Sequence, residues 1–283
     1  MNNKRKQLRN YGFSTDNNTY IIAELGINHG GDVDLAKKLI DSSANTGVDA
    51  VKFQTYITEK RAPKGNSDIF NILNKCELPF DAFKELKDYS QQYDIDFIST
   101  PFDNESIDFL DSIGCSKFKI ASFDVVNHQL LAHLSKTKKP VILSVGMSNE
   151  EEIKQALQIL KKGTEKISLL HCISAYPCEE DDMNLSAIFK LQELFNNAIG
   201  LSDHTNTTLT SLYAVAAGAQ IIEKHYKIDD NMDCIDAPVS ITEVQMKKMV
   251  NEIRRIESIF GNAELGVRTV EKPTTVFRRY TSK

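Results

Sequence analysis

Residues 220–225, Gln220-Ile221-Ile222-Glu223-Lys224-His225, join a short β-branched apolar run to a group of charged and titratable residues. The run is too short for a helix and has the composition of a buried strand. Seven similar runs precede it, at 20–25, 50–54, 96–99, 118–121, 140–145, 167–172 and 198–202. Amphipathic stretches lie between them at 35–46, 83–93, 107–113, 151–161, 185–195 and 209–217, and 244–260 follows the last run. Strands that alternate with helices build parallel sheets through crossover connections. Eight such units in 283 residues match the roughly 250-residue size of a closed (β/α)8 TIM barrel. An open doubly wound sheet uses the same alternation, but no G-x-G-x-x-G opens the first helix. The expected organisation is an N-terminal extension over 1–19, the barrel over 20–271 and a tail over 272–283. The segment 58–79 is long for a strand-to-helix connection, which makes it a functional or disordered loop above the barrel mouth.

Composition sets limits on partners. With 41% hydrophobic and 26% charged residues the chain can bury a sizeable core. Its net charge of -5 gives no general attraction for nucleic acid or anionic membrane, so an anionic ligand needs basic groups gathered locally. The five cysteines are odd in number, scattered, and form no C-x-x-C pair, which argues for a reducing compartment. Residues 1–9 carry four basic side chains, but no apolar stretch follows over 10–18, and no run reaches the length of a membrane span. The cytoplasm is therefore the expected location.

In a TIM barrel, side chains at the carboxyl ends of the strands face one shared cavity. Read in order, these positions give Glu24 with Asn28 and His29, Lys52 with Gln54, Thr100 with Asp103, Lys119 with Ser122, then Ser144, His171, Ser202 with His204, and Glu223 with His225. Because residues two apart share a face, Lys52 and Gln54 point inward together, as do Ser202 and His204, and Glu223 and His225. The seventh and eighth strands are neighbours, so the imidazoles of His204 and His225 are expected to meet. Two neutral imidazoles suit a divalent ion that keeps open positions and polarises a carbonyl. Spacing alone equally allows each histidine to be hydrogen-bonded inside the core. Lys52 and Lys119 could bind phosphate or carboxylate with help from Ser122, Ser144 and Ser202. They could also be neutralised by a glutamate such as Glu24, or one could form a Schiff base. Cys172 and Met147 read as packing residues.

Taken together these strand ends resemble the sialic acid synthase family, the nonulosonate synthases. The matching stretches are IIAELGINHGG at 21–31, VKFQTY at 51–56, STPFD at 99–103, KIAS at 119–122, LSVGMS at 143–148, HCISAYP at 171–177, GLSDHT at 200–205 and EKHY at 223–226. The resemblance implies condensation of phosphoenolpyruvate with N-acetylmannosamine or another acetamido sugar, such as a diacetamido-trideoxy hexose. It implies His204 and His225 as ligands of manganese, magnesium or cobalt, with manganese first. By the same resemblance Lys52, Lys119, Ser122, Ser144, Ser174 and Ser202 hold phosphoenolpyruvate, while Glu24, Gln54, Tyr176 and Asp236 contact or orient the sugar or the reacting water. Glu24 and Glu223 are the proton-handling candidates.

The chain departs from the family pattern in places. Phe123 and Asp124 stand where the family has Gly-Glu, and Ile235, Asp236 and Ala237 stand where it often has Pro-Asp-His. Ser174 replaces an asparagine found in some members. Family members continue past Arg278-Arg279-Tyr280 into an antifreeze-like domain that lends an arginine to the partner's sugar site in a homodimer. This ending therefore implies a sugar site without that anchor. Two alternatives remain at this stage. One is a synthase whose acceptor is a sugar phosphate, served by Lys60, Arg61 and Lys64. The other is a catalytically silent sugar-binding homologue.

Overall fold

The computed structural model of the chain describes residues 6–15, 17, 19–62, 67–261 and 264–280. Eight parallel strands close into a barrel in chain order: β1 (Tyr20–Gly26), β2 (Ala50–Thr55), β3 (Asp96–Pro101), β4 (Phe118–Ile120), β5 (Val141–Ser144), β6 (Ile167–His171), β7 (Ala198–Asp203) and β8 (Ile221–His225). Pairing of β8 with β1 completes the ring and leaves no open strand edge. The expected TIM barrel is the observed fold, with every anticipated strand present to within a residue or two.

Helices α1 (Val33–Ala44), α2 (Thr58–Arg61), α3 (Ser67–Cys76), α4 (Phe80–Ser90), α5 (Asn104–Ser112), α6 (His128–Ser135), α7 (Glu150–Leu160), α8 (Ser186–Leu194), α9 (Leu209–Ala216) and α10 (Glu243–Phe260) connect and flank the strands. Capping residues mark where several of them begin. Asp32 accepts from the backbone of Asp34 and Leu35, Asp103 caps α5, and Asn149 and Thr242 form reciprocal capping boxes with Glu152 and Gln245. Two expectations need correction. The segment 58–79 is not an irregular loop, because α2 and α3 occupy much of it; residues 63–66, including Lys64, lie outside the described residues. The α6 helix was not anticipated, since it is short and its start is signalled only by the Asn127 cap.

Strand alternation divides the chain's apolar content. Outward residues such as Phe53, Leu169, Leu201 and Ile222 pack against the helices. Inward residues near the amino-terminal end of the barrel, including Tyr20, Ile22, Ile98, Ile142, Leu170 and Ile221, form a second cluster with Leu8 and Phe13. The described part of the N-terminal extension therefore closes the barrel floor, with Phe13 and Tyr20 ring centroids 4.7 Å apart. The far end of the chain, including a 3-10 run over Thr269–Phe277, buries none of that run's residues. Among the described residues no helix is long and apolar enough to cross a membrane.

One polar post fixes the β7–β8 pair from outside. Lys224 and Asp203, neither of them exposed, form an ion pair at 3.0 Å. Asp203 also accepts from Thr205, Thr210 and Ser211, and Lys224 donates to the Thr205 carbonyl. Because these two residues point outward, Ser202 and His204 on one strand and Glu223 and His225 on the next must point inward.

Candidate active site

The inward side chains change from apolar to polar toward the carboxyl ends of the strands, where they line a cavity of about 470 Å³. Twelve of the thirteen candidate residues line it: Glu24, Lys52, Gln54, Lys119, Ser122, Ser144, Tyr176, Ser202, His204, Glu223, His225 and Asp236. Strand register explains their common height. Glu24 lies beside both Lys52 and His225, and Ser202 lies beside Glu223. Ser174 is the exception. It does not line the cavity, although its hydroxyl is buried without a partner and close to Gly146.

Several other strand-end positions turn out to support the site from behind. His171 faces the helix layer, where its Nε2 lies 2.8 Å from the Met183 carbonyl. Asp103 accepts from the backbone of Ile57 and Ser106, which ties the α2 and α5 starts together. Asn28 donates to the Tyr226 carbonyl and accepts from the backbone of Asp236, so it holds the Asp236 turn against β1. His29 packs beside Phe53 and accepts from the Gly31 backbone. Cys172 is buried as expected and also hydrogen-bonds Ser122 at 2.9 Å. Met147 is not a packing residue: it is 64% exposed and sits at φ +60°. Gly26 is required for a steric reason. Its φ is +53°, and an added Cβ would lie 2.9 Å from Asp236 Oδ2 and 3.3 Å from Glu24 Oε1.

The charged floor is a linked chain. Lys52 Nζ lies 2.7 Å from Glu24 Oε2 and 3.7 Å from Glu223 Oε1, and it donates to Thr100 Oγ1. Lys119 Nζ lies 3.4 Å from the same Glu223 oxygen and donates to the Ile120 carbonyl. Ser202 donates to Glu223, and Gln54 donates to Glu24. Both lysines are 3% exposed, so their charges are felt strongly in the cavity. Burial pushes Lys119 below the ordinary lysine range against the pull of Glu223, whereas Lys52, under the same burial, is held above it by Glu223 and Glu24. The two glutamates separate in the opposite sense. Burial raises Glu24, while Lys119 and Lys52 override burial and lower Glu223. Such a split gives one carboxyl that can carry a proton and one that stays ionised.

The two imidazoles do converge, with ring centroids 5.6 Å apart. His204 Nδ1 donates to the Ile173 carbonyl at 2.7 Å, which leaves Nε2 as the nitrogen free to act as an acceptor. Burial and the neighbouring His225 bring its pKa down to about 4, so the ring is neutral near pH 7. His225 is raised, because Asp236, 3.4 Å away, outweighs burial. Tyr176 covers His204 with its ring centroid 4.2 Å away. Among the described residues, no three His, Cys, Asp or Glu side chains are grouped closely enough to hold an ion by themselves. Any ion here would complete its coordination from water or substrate.

Sequence reasoning reached the outer wall only in part, through Thr100 as a strand end and Arg61 as a basic group for a sugar phosphate. Ile27, Arg61, Ile69, Phe102, Ala121 and Phe123 line the cavity together with Thr100. Lys60 and Arg61, although adjacent, diverge: Lys60 pairs with Glu105 while Arg61 turns into the cavity. Arg61 was anticipated only together with Lys60 and Lys64, as the basic groups of a sugar-phosphate site, and of these Lys60 is turned away from the cavity.

The geometry defines a TIM-barrel protein with a mixed-charge ligand cavity at its carboxyl-terminal mouth. The NeuB family profile matches residues 39–265, and the chain belongs to the NeuB family. It is 40% identical over 260 residues to N,N'-diacetyllegionaminic acid synthase of Campylobacter jejuni, covering 86% of this chain and 78% of that protein. It is 33% identical to pseudaminic acid synthase of the same species, covering 96% of this chain and 84% of that protein. Among solved structures, the N-acetylneuraminic acid synthetase of Leptospira borgpetersenii in complex with citrate superposes with a TM-score of 0.89 at 40% identity, covering 93% of this chain and 92% of the other. The family relatives are thus sialic, legionaminic and pseudaminic acid synthases.

Proposed function

We propose that this protein is a nonulosonate synthase that condenses phosphoenolpyruvate with the open-chain aldehyde of N-acetylmannosamine or a related acetamido sugar and releases phosphate. One observation carries the reading: Gln54 Oε1, Arg61 NH1, Ser144 Oγ and Glu223 Oε2 are all buried, lack hydrogen-bond partners and belong to residues of one cavity. Buried polar groups are nearly always paired, so a cluster of unpaired ones is what a ligand site leaves behind.

The charge count supports an added cation. Lys52, Arg61 and Lys119 are balanced by Glu24, Glu223 and Asp236 in the lining, which gives a formal sum of zero. An enol phosphate carrying a carboxylate would enter this neutral cavity more readily with a divalent ion present. Manganese, with magnesium and cobalt as alternatives, fits His204 and His225 beside the unpaired Oε2 of Glu223, with Asp236 held against His225. When bound it would supply the charge that polarises the sugar aldehyde.

The chain's own residues carry the rest. Lys52 and Lys119, with the hydroxyls of Ser122, Ser144 and Ser202, hold the carboxylate and phosphate of phosphoenolpyruvate. This places its methylene carbon to attack the aldehyde carbon. The enol electron pair forms the new C–C bond, and water adds to the electron-poor second carbon. That tetrahedral carbon then loses phosphate through C–O cleavage, and the oxygen from water remains as the ketone. Glu24, whose pKa burial raises, relays one proton from the added water to the aldehyde oxygen as it becomes a hydroxyl, and the second water proton leaves with the phosphate. Glu223 stays ionised and keeps both ammonium groups in place. Gln54 orients Glu24, and Tyr176 and Asp236 orient the sugar.

A mass-spectrometric screen with phosphoenolpyruvate, manganese and a panel of hexosamines tests the proposal. It expects a product equal to the acceptor plus one pyruvate, with one phosphate released per product. Binding of a hexosamine without any product would favour the silent sugar-binding homologue, and turnover confined to sugar phosphates would favour the phosphorylated-acceptor synthase.

A further inference from the structure

Strand alternation places His225 but not Asp236, which lies eleven positions beyond β8 in the connection over 226–242. That connection carries one short 3-10 turn, Ala237–Val239, and little other regular structure. Its two ends are pinned together: Tyr226 bridges Ile241, the Ile241 backbone donates to the His225 carbonyl, and Lys227 donates to the Ile241 carbonyl. Between these pins the chain swings outward, and Ile235 is half-exposed. The next residue nevertheless turns back to line the cavity, with Asp236 Oδ2 3.4 Å from His225 Nδ1. A carboxylate on so long an irregular connection needs an anchor outside it to keep that place.

Asn28, in the turn after β1, is that anchor. Its Oδ1 accepts from the Asp236 backbone at 2.9 Å, and its Nδ2 donates to the Tyr226 carbonyl at 2.9 Å and to Ser240 Oγ at 3.1 Å. Ser240 Oγ in turn donates to the Asp236 carbonyl at 2.7 Å, so both backbone groups of Asp236 are held by one closed ring of bonds. The partners fix which way the amide faces, because a backbone N–H must meet the oxygen and a carbonyl must meet the nitrogen. Asn28 is itself tied down, since its backbone donates to the Leu25 carbonyl. It is 2% exposed and does not line the cavity, so it touches no substrate. One amide therefore joins the turn after β1, the end of β8 and the middle of the connection, across the seam where β8 pairs with β1. An ionised aspartate at this position would have no donor for Tyr226 or Ser240, and an alanine would offer nothing to any of the three.

We propose that Asn28 is a positioning residue for the reaction, acting through Asp236: its amide, with Ser240, holds the Asp236 carboxylate in the cavity and against His225. Asn28 then governs acceptor use and the orientation of the His225 ring, while the lysine floor that holds phosphoenolpyruvate stands on other strands and is independent of it. The kinetic part of this inference rests on the synthase reading; the part concerning His225 does not need turnover.

The test compares wild type with Asn28→Ala, Asn28→Asp, Ser240→Ala, Asp236→Ala and the double variant Asn28→Ala/Asp236→Ala. With phosphoenolpyruvate, manganese and a hexosamine that wild type turns over, Asn28→Ala should lower kcat/KM for the acceptor by about 10- to 100-fold, the usual cost of displacing a positioned group. Phosphoenolpyruvate affinity, titrated without manganese, should stay within about twofold, as for an independent site. In the Asp236→Ala background Asn28→Ala should add less than about twofold, because both act through one carboxylate. Calorimetric titration of manganese alone should show a loss of about 10- to 100-fold in Asn28→Ala and in Asp236→Ala alike, the range for removing the group that orients a ligating imidazole. Asn28→Asp, which keeps the acceptor for the Asp236 backbone, should fall between Asn28→Ala and wild type. Ser240→Ala breaks one side of the ring and should show a smaller loss in the same direction, which keeps the test open if Asn28→Ala fails to fold. A folded Asn28→Ala or Ser240→Ala protein with a lowered melting temperature but unchanged acceptor KM and manganese affinity would show a merely structural role and overturn the proposal. A rise confined to the phosphoenolpyruvate KM, or a full effect of Asn28→Ala on top of Asp236→Ala, overturns it as well. Absence of wild-type product with every acceptor overturns the synthase reading instead, and the manganese titration then decides the role of Asn28 by itself.

Discussion

Replacing Lys119 with methionine removes one cation from the floor and keeps most of the side-chain volume. The lining then changes from three cations against three carboxylates to two against three, so its formal charge falls from zero to minus one. Loss of one charge-assisted contact to an anion corresponds to about 1.5–3 kcal/mol, or roughly 10- to 150-fold in affinity. The fold should be less affected than by a typical broken buried pair, for which about 3–5 kcal/mol is usual. The reason is that Glu223 still has Lys52 at 3.7 Å and the Ser202 hydroxyl at 3.0 Å, so its charge is not stranded. Phosphate release at saturating acceptor should show the phosphoenolpyruvate KM rising by that factor, while the acceptor KM barely changes. The wild-type pH profile should agree: burial lowers the Lys119 pKa, so rising pH discharges it and weakens phosphoenolpyruvate binding below the ordinary lysine range. An unchanged phosphoenolpyruvate KM in Lys119→Met, or a change confined to the acceptor, would refute this use of the floor.

Substituting His204 or His225 with alanine should abolish turnover and lower bound manganese; full occupancy in both purified variants would contradict the shared ligand role. Asp203→Asn should destabilise the barrel by about 3–5 kcal/mol in urea unfolding, since it leaves Lys224 buried without its counter-charge. Burial opposes ionisation of Asp203, but Lys224 and its hydroxyl donors hold its pKa below the ordinary value, so the pair's contribution should be intact above about pH 4 and lost as pH falls through the lower folded value. Phe13→Ala should cost about 3–5 kcal/mol of stability by opening the barrel floor, with both KM values unchanged.

Period-two alternation made the floor of the site legible. Once Glu223 and His225 were placed on one face of a strand, register carried Ser202, Glu24 and Lys52 to the same height. The wall was legible only in part, because Arg61, Ile69 and Phe123 belong to connections whose direction depends on tertiary packing. Nothing in the adjacent pair Lys60-Arg61 says that one pairs with Glu105 on the surface and the other is held between two rings in the cavity. Supporting roles were hidden for a related reason. Asn28 reads as a strand-end polar residue, yet its partners are Tyr226 and Asp236, some two hundred positions away. The packing of Leu8 and Phe13 under the barrel was equally unreadable, since neither residue belongs to a periodic pattern.

The most direct test of a neutral cavity that unites an enol phosphate with a divalent ion is calorimetric titration of phosphoenolpyruvate with and without manganese, and of manganese with and without phosphoenolpyruvate. Each ligand should tighten the other by the same factor, as linkage requires, and His225→Ala should abolish that coupling. Equal phosphoenolpyruvate affinity in the presence and absence of manganese would contradict the account.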